Sequence, residues 1–134
     1  MYGVLDISTS GLVAQRTRMT VIAQNQANRN TLLNAEGEYE PYRRRITVFA
    51  PGDPASGTGE GVRVKEIRED PAPLQARYEP GSPFADADGY VHYPNVNSVI
   101  EQMDAMEAQR AYDANIAVAE GTKAIMESVL RLIA

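Results

Sequence analysis

Large aliphatic side chains recur every seven residues near both ends of this chain, and the stretch between is rich in proline and glycine. Leu5, Leu12 and Met19 form one series, with Ile22 and Ala23 a turn further on. Val118, Ile125 and Leu132 form another, joined by Val129. A seven-residue period on a 3.6-residue helix draws a narrow stripe, the kind that two helices bury against each other. A chain with such a stripe at each end must bring its ends together or offer them to neighbours. The reading is therefore mainly α with a small β insert: terminal helices pairing as a coiled-coil-like bundle, residues 1–30 with 95–134, around an inserted β-rich region over 31–94.

The first helix is expected over residues 3–30. Its other side carries Gln15, Arg16, Arg18, Gln24 and Asn28, and Gly11 weakens its first part. The amide-rich run from Asn25 to Thr31 ends it, because Asn competes for backbone hydrogen bonds. The second helix is expected over 95–133. Pro94 forbids helix before it, Asn95 or Asn97 can cap, and Ser98 with Glu101 spells a capping box. Val99, Ile100, Met103 and Met106 then read as seam residues filling irregular gaps. Ala108, Ala111, Ala114 and Ala117 allow close helix approach, and Gly121 is a weak point. At about 1.5 Å per residue this helix reaches on the order of 55 Å, too long for a lone small domain, so it needs a partner along its length.

The insert holds two clear strand runs, Arg45 to Phe49 and Gly61 to Ile67, with Val62 and Val64 alternating against Arg63 and Lys65. Pro51 to Gly61 reads as a flexible loop between them, and Leu74 to Tyr78 and Gly89 to Tyr93 can add short strands. Two strands alone are marginal in water, so the insert is expected to pack on the helices or on a neighbour.

Composition excludes several classes. A net charge of −5 argues against nucleic-acid binding. The absence of cysteine removes disulfides, thiol chemistry and Cys-ligated zinc. No run approaches the ~18 apolar residues of a membrane span. The first ten residues carry Asp6 and no basic segment, so no cleaved secretory signal is expected. Both termini are expected to be held, by each other or by neighbours, since free chain ends fray. His92 is the only histidine and reads as structural. Asp86-Ala87-Asp88-Gly89 resembles the start of a calcium loop, but position twelve would be Asn97 where a glutamate is needed, so a plain Asp-Gly turn is preferred. Arg43-Arg44-Arg45 could grip an acidic partner, and the favoured reading is a solvated strand face. Neither a cofactor nor a metal is expected.

Five stretches together carry a family resemblance. Ser10 to Arg16, followed by Ile22 to Thr31, resembles the N-terminal motif of flagellar rod, hook and axial proteins. Pro41 to Arg45, Gly89 to Asn97 and the run Ala108-Gln109-Arg110-Ala111-Tyr112-Asp113-Ala114-Asn115 are similar to the C-type proximal rod proteins of the bacterial flagellar basal body. Gln26 and Gln109 depart from the usual aliphatic residue and Ser at those places.

The resemblance implies a non-enzymatic structural subunit. It would be exported without signal cleavage and assemble in the periplasmic space with copies of itself, other rod proteins, and ring or export-gate-adjacent components. It would not insert into a membrane. The terminal helices would pair antiparallel within a subunit, bury their remaining seam between subunits around an export channel, and so transmit torque. The expected assembly interface comprises Leu5, Leu12, Met19, Ile22, Asn25, Asn28, Val99, Ile100, Met103, Met106, Arg110, Tyr112, Asn115, Val118, Ile125, Val129 and Leu132. The amides, including Asn30, Asn95 and Asn97, would satisfy helix ends and inter-subunit contacts, with Asn95 as a simple cap. The insert would form an outer layer. Two rival readings are a cytoplasmic coiled-coil adaptor or export-linked chaperone, which shares the helices but has no need of the strands, and a small hydrolase using His92.

Overall fold

Asn97 starts the longest element of the protein. In the computed structural model, which describes residues 2–53 and 57–134, its side-chain oxygen accepts from the backbone N–H groups of Val99 and Ile100. These are orphan donors that every helix start must satisfy. Glu101 is therefore free of the capping role expected of it, and Asn95 does not cap either. The full order is α1 (Tyr2–Ala27), β1 (Arg45–Asp53), β2 (Thr58–Glu69), β3 (Gln75–Tyr78), β4 (Tyr90–Tyr93) and α2 (Ser98–Ile133). The mainly helical class with a small β insert between two long helices matches the sequence reading.

The two helices run antiparallel along each other. Gly11 faces Asn115, Arg18 reaches Asp104 and Glu107, Asn25 meets Glu101 and Arg29 meets Ser98. The face that α2 turns to α1 carries Glu101, Ala108 and Asn115, one heptad apart. The large apolar residues expected at the assembly interface do not supply this face. Met103, Met106, Val118, Ile125 and Leu132 lie on the other side of α2, exposed. The physical reason is that α2 carries two stripes at 100° per residue. The stripe of small and polar residues can approach the Gly11 side of α1 closely, whereas the stripe of long side chains cannot. A Cβ added at Gly11 would lie 2.8 Å from the Asn115 amide, so Gly11 permits this approach and is no defect of the helix.

A second face of α1 receives the long hairpin. β1 and β2 pair antiparallel, Arg45 with Glu69 and Val48 with Glu66; Phe49 then pairs with Val64, leaving Lys65 as the extra residue of a bulge. The strands run further than expected, through Pro51 to Asp53 on one side and Thr58 to Gly61 on the other. The predicted loop shrinks accordingly, and its centre at 54–56 lies outside the described residues. The hairpin is anchored where the Ser10 hydroxyl accepts from Val62 N–H at 3.1 Å while donating to Ile7 C=O at 2.7 Å. Gly61, at φ +81, makes the anchor possible: a side chain there would be strained and would meet Ser10 Oγ at 2.7 Å.

The short strands β3 and β4 pair from Gln75–Tyr93 to Tyr78–Tyr90. Tyr39 clamps them: its hydroxyl donates to His92 C=O at 2.8 Å and accepts from His92 N–H at 3.0 Å, and its ring stacks on Phe84. Buried apolar side chains are few, namely Ala14, Val21, Ile22, Val91, Pro94, Val96 and Ala108 among the described residues, and none of them is aromatic. Most large aliphatic surface of α2 is thus left for something outside the chain.

The Gly11–Asn115 approach is testable by a double-mutant cycle. Gly11→Ala is expected to gain about 1 kcal/mol of helix propensity only when Asn115→Ala removes the clash. In the otherwise native chain the gain should be absent, as read from urea midpoints.

Candidate functional site

A buried polar knot joins both helices to the two ends of the β1–β2 hairpin and holds the helix pair at one rotation. Its centre is Asn25, 1% exposed on α1. Its Nδ2 donates to Arg45 C=O at 2.8 Å and to Glu101 Oε2 at 3.2 Å, while its Oδ1 accepts from Arg45 N–H and Tyr42 O–H, both at 2.9 Å. Asn25 pairs with Arg45 as a strand residue would, and so ties a helix to the start of β1. Asn25 was expected at a helix end or between subunits; its side chain is instead satisfied inside the subunit.

Glu101 on α2 is equally buried, and Arg44 is its charged partner. The guanidinium of Arg44 reaches three carboxylates, Glu101 through Nε and Asp104 at 3.0 Å, both on α2, and Asp70 at 3.2 Å just after β2. A planar fork of fixed donors suits this triple engagement. Burial works to lower the pKa of Arg44, but the bonds to Glu101 and Asp70 and the charge of Asp104 outweigh it and hold the group above its ordinary value. Arg44 therefore leaves the solvated face on which it was expected. Its backbone N–H donates to Asn95 Oδ1 at 2.8 Å, and Asn95 Nδ2 donates on to the carbonyls of Asp70 and Ala72. Burial, opposed by Arg45 and aided by Glu101, raises the Tyr42 hydroxyl, which stays protonated as a donor to Asn25. Asp70 is held below the usual carboxylate range, first by the Ala72 N–H and then, against partial burial, by Arg44.

Outside the knot, the expected interface residues sort by exposure. Val99, Ile100, Met103, Met106, Arg110, Val118, Ile125 and Leu132 are exposed on α2. Val118 is 51% and Met103 65% exposed. Leu5, Leu12 and Met19 on α1, and Tyr112, Asn115 and Val129 on α2, are half-buried. Ile22, like Asn25, is buried within the chain. Asn28 closes α1, donating to Gln24 C=O at 2.9 Å and accepting from Thr31 Oγ1 at 3.1 Å. Asn115 donates to Ala111 C=O at 2.9 Å beside Gly11.

Arg44, Glu101, Asp70, Asp104 and Tyr42 were missed as a group. One signal was available: Glu101 occupies the same heptad position as Ala108 and Asn115, which puts a charge in a helix–helix seam. Elsewhere, Asp86 Oδ1 accepts from the N–H groups of Asp88 and Tyr90, the Asx turn expected of Asp-Gly. His92 places its ring 3.6 Å from Asp86 at the surface. No group of three or more His, Cys, Asp or Glu side chains is placed to hold a metal among the described residues.

Breaking the knot from one side should be costly. Arg44→Met strands Glu101 without its cation and is expected to lose about 3–5 kcal/mol of stability. Adding Glu101→Leu should recover a large part of the loss, measured by urea unfolding. Acid should weaken the fold too. The contribution of Asp70 is present above the ordinary carboxyl value of 3.8 and is lost as pH falls through its lower folded value. Asp70→Asn should flatten the fall of the urea midpoint between pH 5 and pH 2.

Comparison with known proteins accords with this architecture. The family model described as flagellar basal body rod FlgEFG protein C-terminal matches residues 87–132, which take in β4 and nearly all of α2. Over almost the whole chain, three relatives carry the name flagellar basal-body rod protein FlgC. The Yersinia enterocolitica protein is 41% identical across 98% of this chain and 97% of its own. The Borreliella burgdorferi protein is 37% identical across 99% and 97%, and the Bacillus subtilis protein 34% across 96% and 95%. Identity at this level over both full lengths, with the helix–insert–helix order that the shared motifs led us to expect, means that the chain belongs to the FlgC family of flagellar basal-body rod proteins.

Proposed function

We propose that this chain is a structural subunit of the flagellar basal-body rod, working in the periplasmic space and polymerising through its terminal helices with copies of itself and with other rod proteins. The observation that carries the reading is the pairing of near-full-length kinship to rod proteins with a long apolar stripe that α2 leaves uncovered. Exposed apolar surface gathered along one helix marks an interaction site. The stripe runs along a 36-residue helix, so it can be shared among several neighbours. A contact between two unlike patches does not close on itself and propagates as a helical assembly. No helix among the described residues is long and apolar enough to cross a membrane. Partners are therefore sought along the helix faces, and torque passes from subunit to subunit through them. Export without a cleaved signal, as the resemblance implies, completes the reading. No catalytic role is assigned.

Deleting the gene in its host should give non-motile cells whose basal bodies keep rings but lack a rod by electron microscopy; motile cells with normal rods would reject the reading. Val118→Asp separates folding from assembly. Val118 is exposed within the subunit, so the purified variant should keep its helicity and its stability within about 0.5 kcal/mol. In cells, the charge would be buried unpaired between subunits and should abolish swimming.

A further inference from the structure

We infer that the outer face of the β3–β4 sheet, with the arm that packs along its edge, binds an arginine- or lysine-bearing segment of a different protein. Strand alternation sends Gln75, Arg77, Val91 and Tyr93 to one face of this sheet and Ala76, Tyr78, Tyr90 and His92 to the other. Val91 is fully buried, so the first face is the one turned to the rest of the chain. The second face is bare. Tyr78 is 66% and Tyr90 43% exposed, and the His92 side chain 47%. Tyr78 and Tyr90 meet edge to face at 5.4 Å, and the Tyr78 ring packs over Gly89, where a Cβ would lie 3.0 Å from it. Along the edge of β4, Tyr39 adds a third exposed ring, stacked on Phe84 at 5.1 Å and hydrogen-bonded through its hydroxyl to the His92 backbone. These rings are held by their neighbours, so little side-chain freedom is lost when a partner covers them. Exposed tyrosines fixed in this way are typical anchors of protein interfaces.

Charge names the occupant. The stretches 30–42 and 78–100, which the Tyr39 clamp joins, hold Glu36, Glu38, Glu40, Glu79, Asp86 and Asp88 and no Lys or Arg. They contain six of the 18 acidic residues and none of the 13 basic ones, so they carry more than the whole net charge of −5 and leave the remainder at +1. Asp86 lies 3.6 Å from the His92 ring on the bare face. Glu79 is engaged by the Tyr93 hydroxyl, and Glu40 by the Asn34 amide. Glu36 and Glu38, in the arm closed by the Leu33–Tyr39 bridge, and Asp88, in the turn before β4, are exposed. Among the described residues no Lys or Arg pairs with these three. The face of an aromatic ring attracts a cation, and the carboxylates around it strengthen that attraction and steer the partner in. A guanidinium suits both features, because it stacks on tyrosine and pairs with carboxylate. The same charge repels an identical face, so two copies of this chain do not meet here. The surface lies on the insert, apart from the α2 stripe, and does not depend on the structural-subunit reading.

The probe is a peptide of alternating glycine and arginine, titrated into the full chain and followed by NMR. Saturable shifts are expected at Tyr39, Tyr78, Tyr90 and His92, and they should weaken as salt is raised. Tyr78→Ala should weaken binding at least about fivefold, whereas Tyr78→Phe, which keeps the ring, should bind like the native chain. Glu38→Gln with Asp88→Asn should weaken binding about threefold or more, while the same loss of charge on α2, by Glu120→Gln with Glu127→Gln, should leave it unchanged. A peptide of alternating glycine and glutamate should produce no shifts. Shifts scattered over the chain, or binding that survives Tyr78→Ala, would overturn the inference. In the host, a benzophenone side chain introduced in place of Tyr78 should crosslink to a different protein within a segment that bears Arg or Lys. A crosslink to a second copy, or to a segment without either residue, would reject the assigned occupant. Rodless deletion cells together with no saturable binding of the glycine–arginine peptide would reject this surface and leave the structural-subunit reading standing. Motile deletion cells with normal rods and intact binding would do the reverse.

Discussion

Glu101 occupies a position of α2 that a simple helix pair would give to an alanine, as it does one heptad later at Ala108. A buried carboxylate there is tolerable only if its partners are delivered from elsewhere, because an unpaired charge in such a place costs several kcal/mol. Asn25 comes from α1, Arg44 from the segment entering β1, and Arg44 in turn needs Asp70 from beyond β2. The helix pair can satisfy Glu101 only when the insert is in place, and the insert finds its anchor only on the paired helices. Buried polar groups of this kind select one arrangement more than they add stability. Here they fix the rotation and register of α2 on α1.

That rotation decides what the subunit shows to its surroundings. With Glu101, Ala108 and Asn115 turned inward, the long side chains of α2 must turn outward. The interior is correspondingly poor, since the side chains it buries are mostly small, and apolar burial contributes about 25 cal/mol per Å². A subunit that leaves Met103, Met106, Val118 and Ile125 in water keeps much of its hydrophobic free energy in reserve for association. The insert takes no part in covering that stripe. It packs on α1 through Ser10 and Gly61 and reaches α2 through Arg44, at Glu101 and Asp104.

Much of the fold was legible because it depends on local rules. Heptad spacing marked both helices, Asn97 marked the start of α2, and β-branched alternation marked the paired strands. The amide run at Asn25–Thr31 correctly announced the end of α1, within three residues of the expected position. The candidate interface was legible only in part. The seven-residue period identified large apolar positions but could not say which of two stripes on α2 meets α1, because both satisfy the same period. The loop reading of Pro51 to Gly61 overestimated the effect of Gly and Pro, which here sit in an extended, bulged hairpin supported by α1.

What the sequence by itself determined is therefore the list of elements, their order, the heptad faces available on each helix and the family to which the motifs point. These follow from backbone propensity, capping and periodicity, all of which act over a few residues. What only the tertiary structure decided is the choice among those faces. Arg44 could not be distinguished from Arg43 and Arg45 by local pattern, and Glu101 looked like a capping residue until Arg44 stood beside it. The partners in that knot come from residues as far apart as Asn25 and Asp104. Their electrostatic and hydrogen-bonding terms exist only once the chain has brought them together, so no short-range reading could weigh them.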